Sequence, residues 1–166
     1  MARQLWLLRH AEAEPHGTRT DSARRLTSRG EAQARAAGIA LARLEITFDA
    51  VLFSPKTRAR QTAELAAEGW SEQQRALLLE HKPLASSFEA AQALEALAGF
   101  DADARVLLVG HEPDLSGVIA DLSGGRVEVK KGGLAVVRLE GVGGELAVLL
   151  RPREIALIAG VPSDGN

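Results

Sequence analysis

The sequence predicts an α/β protein: a three-layer sandwich with a mostly parallel central sheet, helices on both faces and an antiparallel edge. Two features of the sequence lead to this prediction. Short apolar segments alternate with longer segments of helical composition, which is typical of parallel strands joined by crossover helices. The last two apolar segments are instead joined by a glycine-rich link, which favours an antiparallel hairpin. We therefore expect one domain over residues 1–166, with 161–166 as a frayed tail.

Six apolar segments are predicted to form the strands. Most of them are continuous apolar runs rather than alternating patterns, so we expect these strands to be buried on both faces of the sheet. The predicted strands span residues 4–9, 49–53, 76–79, 106–109, 134–139 and 146–150.

The first two helices are predicted from capping signals. One begins near Ser28 and runs to about Leu44, because Ser28 and Glu31 have the spacing of a capping box. The next follows the second strand, with Ser54 as its N-cap and Pro55 at its first position, where a missing N–H costs nothing.

The remaining helices follow the third and fourth strands. Ser86 and Glu89 again have capping-box spacing, and Pro113 marks a helix start after the fourth strand. Glycine readily adopts the left-handed conformation that ends a helix. The last three helices are accordingly predicted to end at Gly69, Gly99 and Gly124-Gly125.

The composition excludes several classes of protein. The 166 residues include no cysteine, which rules out disulfides, thiolate catalysis and cysteine-ligated metal sites. The apolar stretches fall far short of the ~20 residues that cross a bilayer, so we expect a cytoplasmic protein. The formal net charge of −2 argues against a nucleic-acid binder, which usually has a strongly basic surface.

Basic and imidazole side chains follow three of the predicted strands. Arg9 and His10 follow the first strand, and Arg58 lies one turn into the helix after the second. His111 follows the fourth strand. Each residue alone is explained more simply as a solvated arginine or a structural histidine. Because the carboxyl ends of parallel strands meet at one edge, where helix N-termini also favour anions, their coincidence predicts a pocket for a phosphate-sized anion.

Four stretches of the sequence carry recognisable motifs. Residues 8–13 read LRHAEA, 24–30 read RRLTSRG, 54–62 read SPKTRARQT and 109–113 read VGHEP. The first, third and fourth resemble the Arg-His-Gly, Ser-Pro-x-x-Arg-Ala-x-Gln-Thr and Gly-His motifs of the histidine phosphatase superfamily. The second is similar to the Arg-Pro-Leu-Thr-x-x-Gly stretch of its short SixA-type phosphohistidine phosphatases. The resemblance spans residue 5 to about residue 150 and implies a phosphoglycerate mutase-like fold.

Two residues depart from the family pattern. Ala11 stands where the family signature has glycine, and Arg25 stands where the SixA-type stretch has proline. Because alanine disfavours positive φ, the exchange at Ala11 bears on how tightly the backbone bends beside His10. It does not remove a reacting group.

The resemblance implies phosphoryl transfer through a covalent phosphohistidine. His10 would attack phosphorus in line, and Arg9 and Arg58 would hold the non-bridging oxygens. His111 would donate a hydrogen bond to the same phosphoryl group. The nearby cations would lower the pKa of His10 and keep its ring nucleophilic. No metal or other cofactor is implied, because the arginines neutralise the phosphate.

The proton donor to the leaving group is less clear from the sequence. Glu80, just after the third predicted strand, is the first choice, and a solvated loop carboxylate is an equally good interpretation. Glu112 follows His111 and either caps a helix or orients the site. Arg24 is the preferred further phosphate contact in the basic segment 19–35, which is either a solvated surface or a funnel that steers anionic substrates.

The short chain has no room for the large inserted lids of phosphoglycerate mutases and acid phosphatases. A shallow, uncovered pocket would admit a protein side chain. We therefore expect a phosphatase that acts on phosphohistidine in a protein, with neither nucleic acid nor membrane as a partner. Two alternatives remain: a small-molecule phosphomonoesterase for a sugar phosphate or nucleotide, and a non-catalytic phosphate-binding module. The sequence does not define the oligomeric state.

Overall fold

A six-stranded mixed sheet lies at the centre of the protein, in a computed structural model that describes residues 2–163. Its strands are β1 (Arg3–Arg9), β2 (Ala50–Phe53), β3 (Leu78–Glu80), β4 (Arg105–Gly110), β5 (Leu134–Glu140) and β6 (Gly143–Leu150). Their order across the sheet is β3-β2-β4-β1-β5-β6. The first four strands in this order are parallel, whereas β5 pairs antiparallel with both β1 and β6.

Helices cover both faces of the sheet. They are α1 (Ser28–Arg43), α2 (Thr57–Ala67), α3 (Glu72–Arg75), α4 (Ala90–Leu97), α5 (Asp114–Ser123) and α6 (Pro152–Ala159). Alternate residues of β1 divide between two apolar clusters: Leu5 and Leu7 pack with α4 and α5, and Trp6 and Leu8 pack with α1, α2 and α6. The predicted three-layer α/β sandwich with an antiparallel edge is therefore confirmed. Within residues 2–163, no helix is both long and apolar enough to cross a membrane.

Helix α2 begins two residues later than predicted. Its first residue is Thr57, whereas the capping signals had placed Ser54 as the N-cap and Pro55 at the first position. The Ser54 hydroxyl instead lies 2.8 Å from the ring Nε2 of His111, which is 57 positions away in the sequence. Ser54 Oγ also accepts the Lys56 N–H at 3.3 Å, as a helix N-cap does, but Lys56 is still extended, with a φ of −65° and a ψ of 136°, so the helix begins only after it.

The start of α4 also differs from the prediction. Helix α4 begins after Glu89, and Glu89 and Gln92 form its capping box, in place of the predicted pair Ser86 and Glu89. Ser86 instead ends a short 3₁₀ turn in an extended conformation. Ser87 then has a φ of 55°, which turns the chain before the helix begins.

Two helices, α3 and α6, were not predicted. Ser71 accepts the Gln74 N–H and caps α3, so β3 begins two residues later than the predicted segment 76–79. Helix α6 begins with Pro152 and is followed by Gly160 at a φ of 69°. Both end signals of α6 were therefore present in the sequence.

The chain after α6 remains packed against the fold. Val161 donates its N–H to the Ala156 carbonyl at 3.1 Å and packs against the apolar cluster that includes α1. The expectation of a frayed tail from residue 161 is therefore wrong at Val161. Residues 164–166, which the same expectation covered, lie outside the described residues.

The start of α1 rests against the chain that follows β1. Thr27, rather than the predicted Ser28, caps α1, because its hydroxyl accepts the Gly30 N–H at 3.0 Å. Gly30 packs so closely on the main chain of Glu12 that a Cβ there would overlap the Glu12 carbonyl oxygen. This close approach fixes the segment that leaves β1 against the first turn of α1.

We expect Gly30→Ala to destabilise the protein, because its Cβ would meet main-chain atoms of Glu12 that cannot move alone. Overpacking of this kind costs about 1–3 kcal/mol. Gly117→Ala in α5 is the control, since nothing lies within 4 Å of the Cβ it adds. That variant should be neutral or stabilised by roughly 0.5–1 kcal/mol. Urea unfolding followed by circular dichroism measures both, and equal free energies of unfolding would contradict the close packing.

Candidate active site

The ends of three adjacent parallel strands form the candidate site. Strand β4 lies between β1 and β2. The His10 N–H, directly after β1, donates to Gly110 O at 3.0 Å, and the Ser54 N–H, directly after β2, donates to Val109 O at 3.0 Å. His111 directly follows β4. The main-chain hydrogen bonds thus continue past the ends of β1 and β2, and they hold three side chains at one edge of the sheet.

The His10 ring is buried with one nitrogen unprotonated. Its Nδ1 lies 2.8 Å from Ala11 O, and because a carbonyl only accepts, Nδ1 carries the proton and donates it. The lone pair of the neutral ring is therefore on Nε2, where it accepts a long hydrogen bond from Arg58 Nε at 3.3 Å. The Ala11 carbonyl thus selects the tautomer in which Nε2 is available for nucleophilic attack.

Ser54 orients the second imidazole. The ring centroids of His10 and His111 are 5.2 Å apart, and His111 Nε2 lies 2.8 Å from Ser54 Oγ. Ser54 is buried and its Oγ accepts the Lys56 N–H at 3.3 Å; since His111 Nε2 is the one acceptor that the described contacts offer to its hydroxyl proton, we assign that proton to this bond. The proton of the His111 ring is then on Nδ1, which is buried and has no hydrogen-bond partner among the described residues.

Arg58 joins His10 to an acidic residue that sequence analysis did not single out. Its Nη1 donates to Asp21 O at 2.7 Å, and its Nη2 donates to the Asp21 carboxylate at 3.4 Å. Lys56 and Arg24 donate to the same carboxylate at 3.0 Å each. Lys56, followed by Arg24 and Arg58, holds the pKa of Asp21 well below its usual range. Asp21 is a fixed negative charge, and its place as an acidic residue inside the basic segment 19–35 is a signal that could have identified it.

Arg9 is held through the main chain of the loop before β5. Its Nη1 donates to Val129 O at 2.9 Å, and the Val129 N–H donates to the Glu112 carboxylate at 3.3 Å. The other Glu112 oxygen accepts the Ser116 N–H at 2.7 Å in the first turn of α5. Glu112 therefore caps α5 and, through Val129, also positions Arg9. The Arg9 Nε is buried without a hydrogen-bond partner in the described part of the chain.

Arg24 lies buried behind Arg58 and contacts the loop. Its guanidinium donates to the Asp21 carboxylate and, at 2.8 Å, to Glu14 O. These contacts fix the loop that carries Asp21. Arg24 is therefore connected to the site through Asp21.

Glu80 is the last residue of β3 and lies at the same edge of the sheet. It is paired in register with Phe53, the residue before Ser54. Its carboxylate accepts a hydrogen bond from Arg60 Nη2 at 2.9 Å in an exposed ion pair. The contact that the structure gives Glu80 is therefore with Arg60 rather than with either imidazole.

Ala11 takes the place of the family glycine without backbone strain. It is not among the described residues with positive φ, and its side chain is fully buried in a small apolar cluster. The Ala11 N–H donates to Thr62 Oγ1 at 3.1 Å, and the Thr62 hydroxyl donates to Arg58 O at 2.7 Å. Thr62, whose role sequence analysis missed, thus ties the bend after His10 to the helix that carries Arg58.

Burial keeps both imidazoles neutral. Loss of solvation lowers the pKa of His10 to about 3, and the charges of Arg58 and Arg9 act in the same direction. Loss of solvation likewise lowers the pKa of His111 to about 3, again with a contribution from Arg58. Burial also lowers the pKa of Arg58, while the neighbouring Asp21 opposes that change. Both arginines remain charged at neutral pH, because a guanidinium is effectively always protonated in proteins.

This arrangement is suited to an anion rich in oxygen. Arg9 Nε and His111 Nδ1 are buried donors, and a buried donor without an acceptor costs about 1–3 kcal/mol. The oxygens of a tetrahedral anion would accept from both donors and from Arg58, next to the lone pair of His10 Nε2. Within residues 2–163, no group of three or more His, Cys, Asp or Glu residues is placed to hold a metal ion.

Fold and site together define an α/β protein whose parallel strand ends present two neutral histidines and two arginines to a phosphate-sized anion. Comparison with known sequences identifies the family. The Histidine phosphatase superfamily (branch 1) matches residues 5–81. An uncharacterized protein of Picosynechococcus sp. is 30% identical over 149 residues, which cover 81% of this chain and 84% of that protein. The chain belongs to the histidine phosphatase superfamily.

Solved structures share the fold. The protein histidine phosphatase SixA complexed with tungstate superposes with a TM-score of 0.79 at 24% identity, over 92% of this chain and 99% of that one. A candidate α-ribazole-5′-phosphate phosphatase of Escherichia coli K-12 superposes with a TM-score of 0.75 at 22% identity, over 91% of this chain and 98% of that one. The phosphoglycerate mutase-like fold expected from the motifs is therefore confirmed.

The rings of His10 and His111 are expected to stay neutral from pH 8 to about pH 4, because the folded-state pKa of each is about 3. Histidines in the unfolded chain bind protons near pH 6.5. The free energy of unfolding should therefore be fully retained above about pH 6.5 and fall as the pH drops towards 3. NMR titration of the ring nitrogens, assigned with His10→Gln and His111→Gln, measures this, and a ring of either residue titrating at pH 6–7 would contradict it.

Proposed function

We propose that the protein is a phosphatase that works through a covalent phosphohistidine on His10, and that its substrate is phosphohistidine in a protein. The observation that carries this proposal is the unprotonated Nε2 of His10 beside Arg58 and the second imidazole. Membership of the histidine phosphatase superfamily supports the reaction class. We place the activity in one histidine-phosphatase domain spanning the chain and in the cytoplasm, as the sequence led us to expect.

In the first step, the lone pair of His10 Nε2 attacks phosphorus. The new N–P bond forms as the bond from phosphorus to the leaving nitrogen or oxygen breaks, and that atom takes a proton. Before the attack, the Arg58 Nε–H that occupies the lone pair turns to a phosphoryl oxygen. The Nδ1–H of His10 continues to donate to the Ala11 carbonyl, and this hydrogen bond fixes the ring while the N–P bond forms. Water then attacks the phosphohistidine, which releases phosphate and restores the neutral ring.

The arginines and His111 stabilise the charge on the phosphoryl oxygens. Arg9 and the Nδ1–H of His111 supply donors that are in place before substrate arrives, and Arg58 adds its Nε–H once this group has turned from His10 Nε2 to the phosphoryl group. A hydrogen bond to a charged group contributes about 1.5–3 kcal/mol. The two guanidiniums supply positive charge that other phosphoryl-transfer sites take from a metal ion, so we expect the reaction to need no metal or other cofactor.

Glu80 remains our candidate for the proton donor. Its register beside Phe53 places it at the edge of the sheet where β2 ends, one residue from the start of the Ser54 turn. Arg60 holds its carboxylate in an exposed position, from which it can exchange protons with solvent. Arg24 is proposed to act on the phosphate through Asp21 and Arg58 rather than by direct contact.

The proposal of a protein substrate is supported by the short connections around the site. Eight residues, 82–89, separate His81 from α4, and the strand ends that carry His10 and His111 lead into α1 and α5 without an inserted subdomain in residues 2–163. A phosphorylated side chain of a folded partner can approach such a site. The fold shared with a candidate α-ribazole-5′-phosphate phosphatase supports the second candidate, a small-molecule phosphomonoesterase.

The covalent intermediate is tested by rapid-quench labelling with a ³²P-phosphorylated substrate. We expect an acid-labile, alkali-stable adduct that is absent from His10→Ala, because that variant has no attacking nitrogen. His16→Ala is the matched control, since His16 is 86% exposed, and it should still form the adduct. Absence of any adduct from the intact protein would favour a non-catalytic phosphate-binding module.

The substrate class is tested by a panel of kcat/KM measurements. It compares a phosphohistidine protein with a sugar phosphate, a nucleotide and p-nitrophenyl phosphate. We expect the protein substrate to be preferred by about tenfold or more. Equal or better kcat/KM for a small phosphate ester would replace the proposal with the phosphomonoesterase.

Ser54→Ala is expected to lower kcat/KM by about 10- to 100-fold. The variant leaves the buried Nε2 of His111 without a donor, and an unsatisfied buried group costs about 1–3 kcal/mol. The His111 ring is then free to take the other tautomer, in which Nδ1 cannot donate to the phosphoryl group. Ser123→Ala, at the far end of α5, is the control. A Ser54→Ala enzyme with wild-type kcat/KM would show that the contact does not orient His111.

A further inference from the structure

A basic groove adjoins the candidate active site. It has a volume of about 540 Å³ and is lined by five basic residues, Arg9, Arg29, Lys130, Lys131 and Arg151, with Glu12 and Glu128 as its two acidic residues. The groove therefore carries an excess of three positive charges, although the whole chain has a net charge of −2. Such a concentration of charge on one surface attracts an acidic ligand.

The groove and the proposed nucleophile share the same main chain. Arg9, at the inner end of the groove, directly precedes His10 in the sequence. Gly132 follows Lys131 and donates its N–H to His10 O at 3.1 Å and to Arg9 O at 3.2 Å. The turn that carries Lys130 and Lys131 is therefore hydrogen-bonded to the segment that carries the nucleophile.

Part of the positive charge in the groove is already paired. Arg29 binds the Glu12 carboxylate at 3.0 Å, Lys130 binds Glu128 at 3.1 Å, and Arg151 binds Glu154, which lies outside the lining, at 2.7 Å. Lys131 is exposed and has no ion pair among the contacts of residues 2–163. The positive charge of Lys131 is therefore available to a ligand. Lys130 exchanges Glu128 readily for a carboxylate of the ligand, because exposed ion pairs are weak.

We propose that this groove binds acidic side chains of the phosphorylated protein substrate, next to its phosphohistidine. The inference rests on the proposed function, since it names a feature of the protein that this site would dephosphorylate. An extended chain spans ~3.3–3.6 Å per residue, so an Asp or Glu within a few residues of the phosphohistidine reaches Lys130 and Lys131. The groove has room for carboxylate side chains, and the basic residues that line it favour them over uncharged ones.

The kinetic test uses two phosphohistidine peptides of identical length. One has Asp and Glu beside the phosphohistidine, and the other has Asn and Gln at the same positions. We expect the kcat/KM of the wild-type protein to be about three- to tenfold higher for the acidic peptide, which is the gain that two exposed ion pairs provide. In Lys130→Ala/Lys131→Ala this ratio should fall towards one. Arg75→Ala/Arg138→Ala removes two exposed charges elsewhere and should keep the wild-type ratio.

A ratio of one in the wild-type protein, or an unchanged ratio in Lys130→Ala/Lys131→Ala, would overturn the proposal. Because each ratio compares two substrates on the same enzyme, a general loss of activity does not change it. Thermal unfolding by circular dichroism identifies a variant that fails to fold, and the charge reversal Lys131→Glu, which should favour the neutral peptide, then serves in its place.

A binding measurement separates this inference from the proposed function. Fluorescence anisotropy follows a fluorescein-labelled, unphosphorylated acidic peptide at low ionic strength. Binding should weaken about three- to tenfold in Lys130→Ala/Lys131→Ala and also weaken as salt is added. If the protein does not hydrolyse phosphohistidine peptides but Lys130→Ala/Lys131→Ala still binds the acidic peptide more weakly than wild type, the proposed function is wrong and binding of acidic side chains in the groove is supported. If the acidic peptide binds equally to the wild-type protein and to Lys130→Ala/Lys131→Ala, the proposed role of the groove is wrong, whichever substrate the enzyme hydrolyses.

Discussion

The candidate active site depends on the parallel pairing of β1 and β2 with β4. Because the three strands are adjacent and run in the same direction, the residues that follow them emerge at one edge of the sheet. The main-chain bonds from His10 to Gly110 and from Ser54 to Val109 continue this pairing beyond the ends of β1 and β2. The spacing of the imidazoles is therefore set by main-chain geometry, which most side-chain substitutions leave unchanged.

The electrostatics of the site follow from burial. Two buried imidazoles beside guanidinium groups do not take up a second ring proton at neutral pH, since a charged ring would lose its solvation and meet positive neighbours. Asp21 offsets part of this positive charge, because its carboxylate pairs with Arg58, Arg24 and Lys56 and holds these cations together. The site thus combines neutral imidazoles with fixed positive charge, as the proposed attack on an anionic phosphoryl group requires.

Prediction from local sequence failed at residues whose side chains form hydrogen bonds with residues far away in the sequence. Ser54 and Pro55 are a good helix start by any local rule, yet the Ser54 hydroxyl contacts His111 and α2 starts at Thr57. Asp21 lies in the segment 19–35, which sequence analysis identified only as basic, although it binds the arginine that contacts His10. The failure to predict α6 is a different kind of error, because the proline at its start and the glycine after its end are both recognisable helix signals in the sequence.

The sequence by itself determined the strands β1, β2 and β4, the residues that follow them, and the motifs that identify the superfamily. These properties are local, since a buried strand is a run of apolar residues and a motif is a fixed spacing. Only the tertiary structure decided which nitrogen of each histidine is protonated, and that Ser54, Asp21 and Thr62 hold the site. The tautomer of His10 follows from the bend that turns the adjacent Ala11 carbonyl onto its ring. The other decisions rest on hydrogen bonds between residues 37 to 57 positions apart, which no local pattern records.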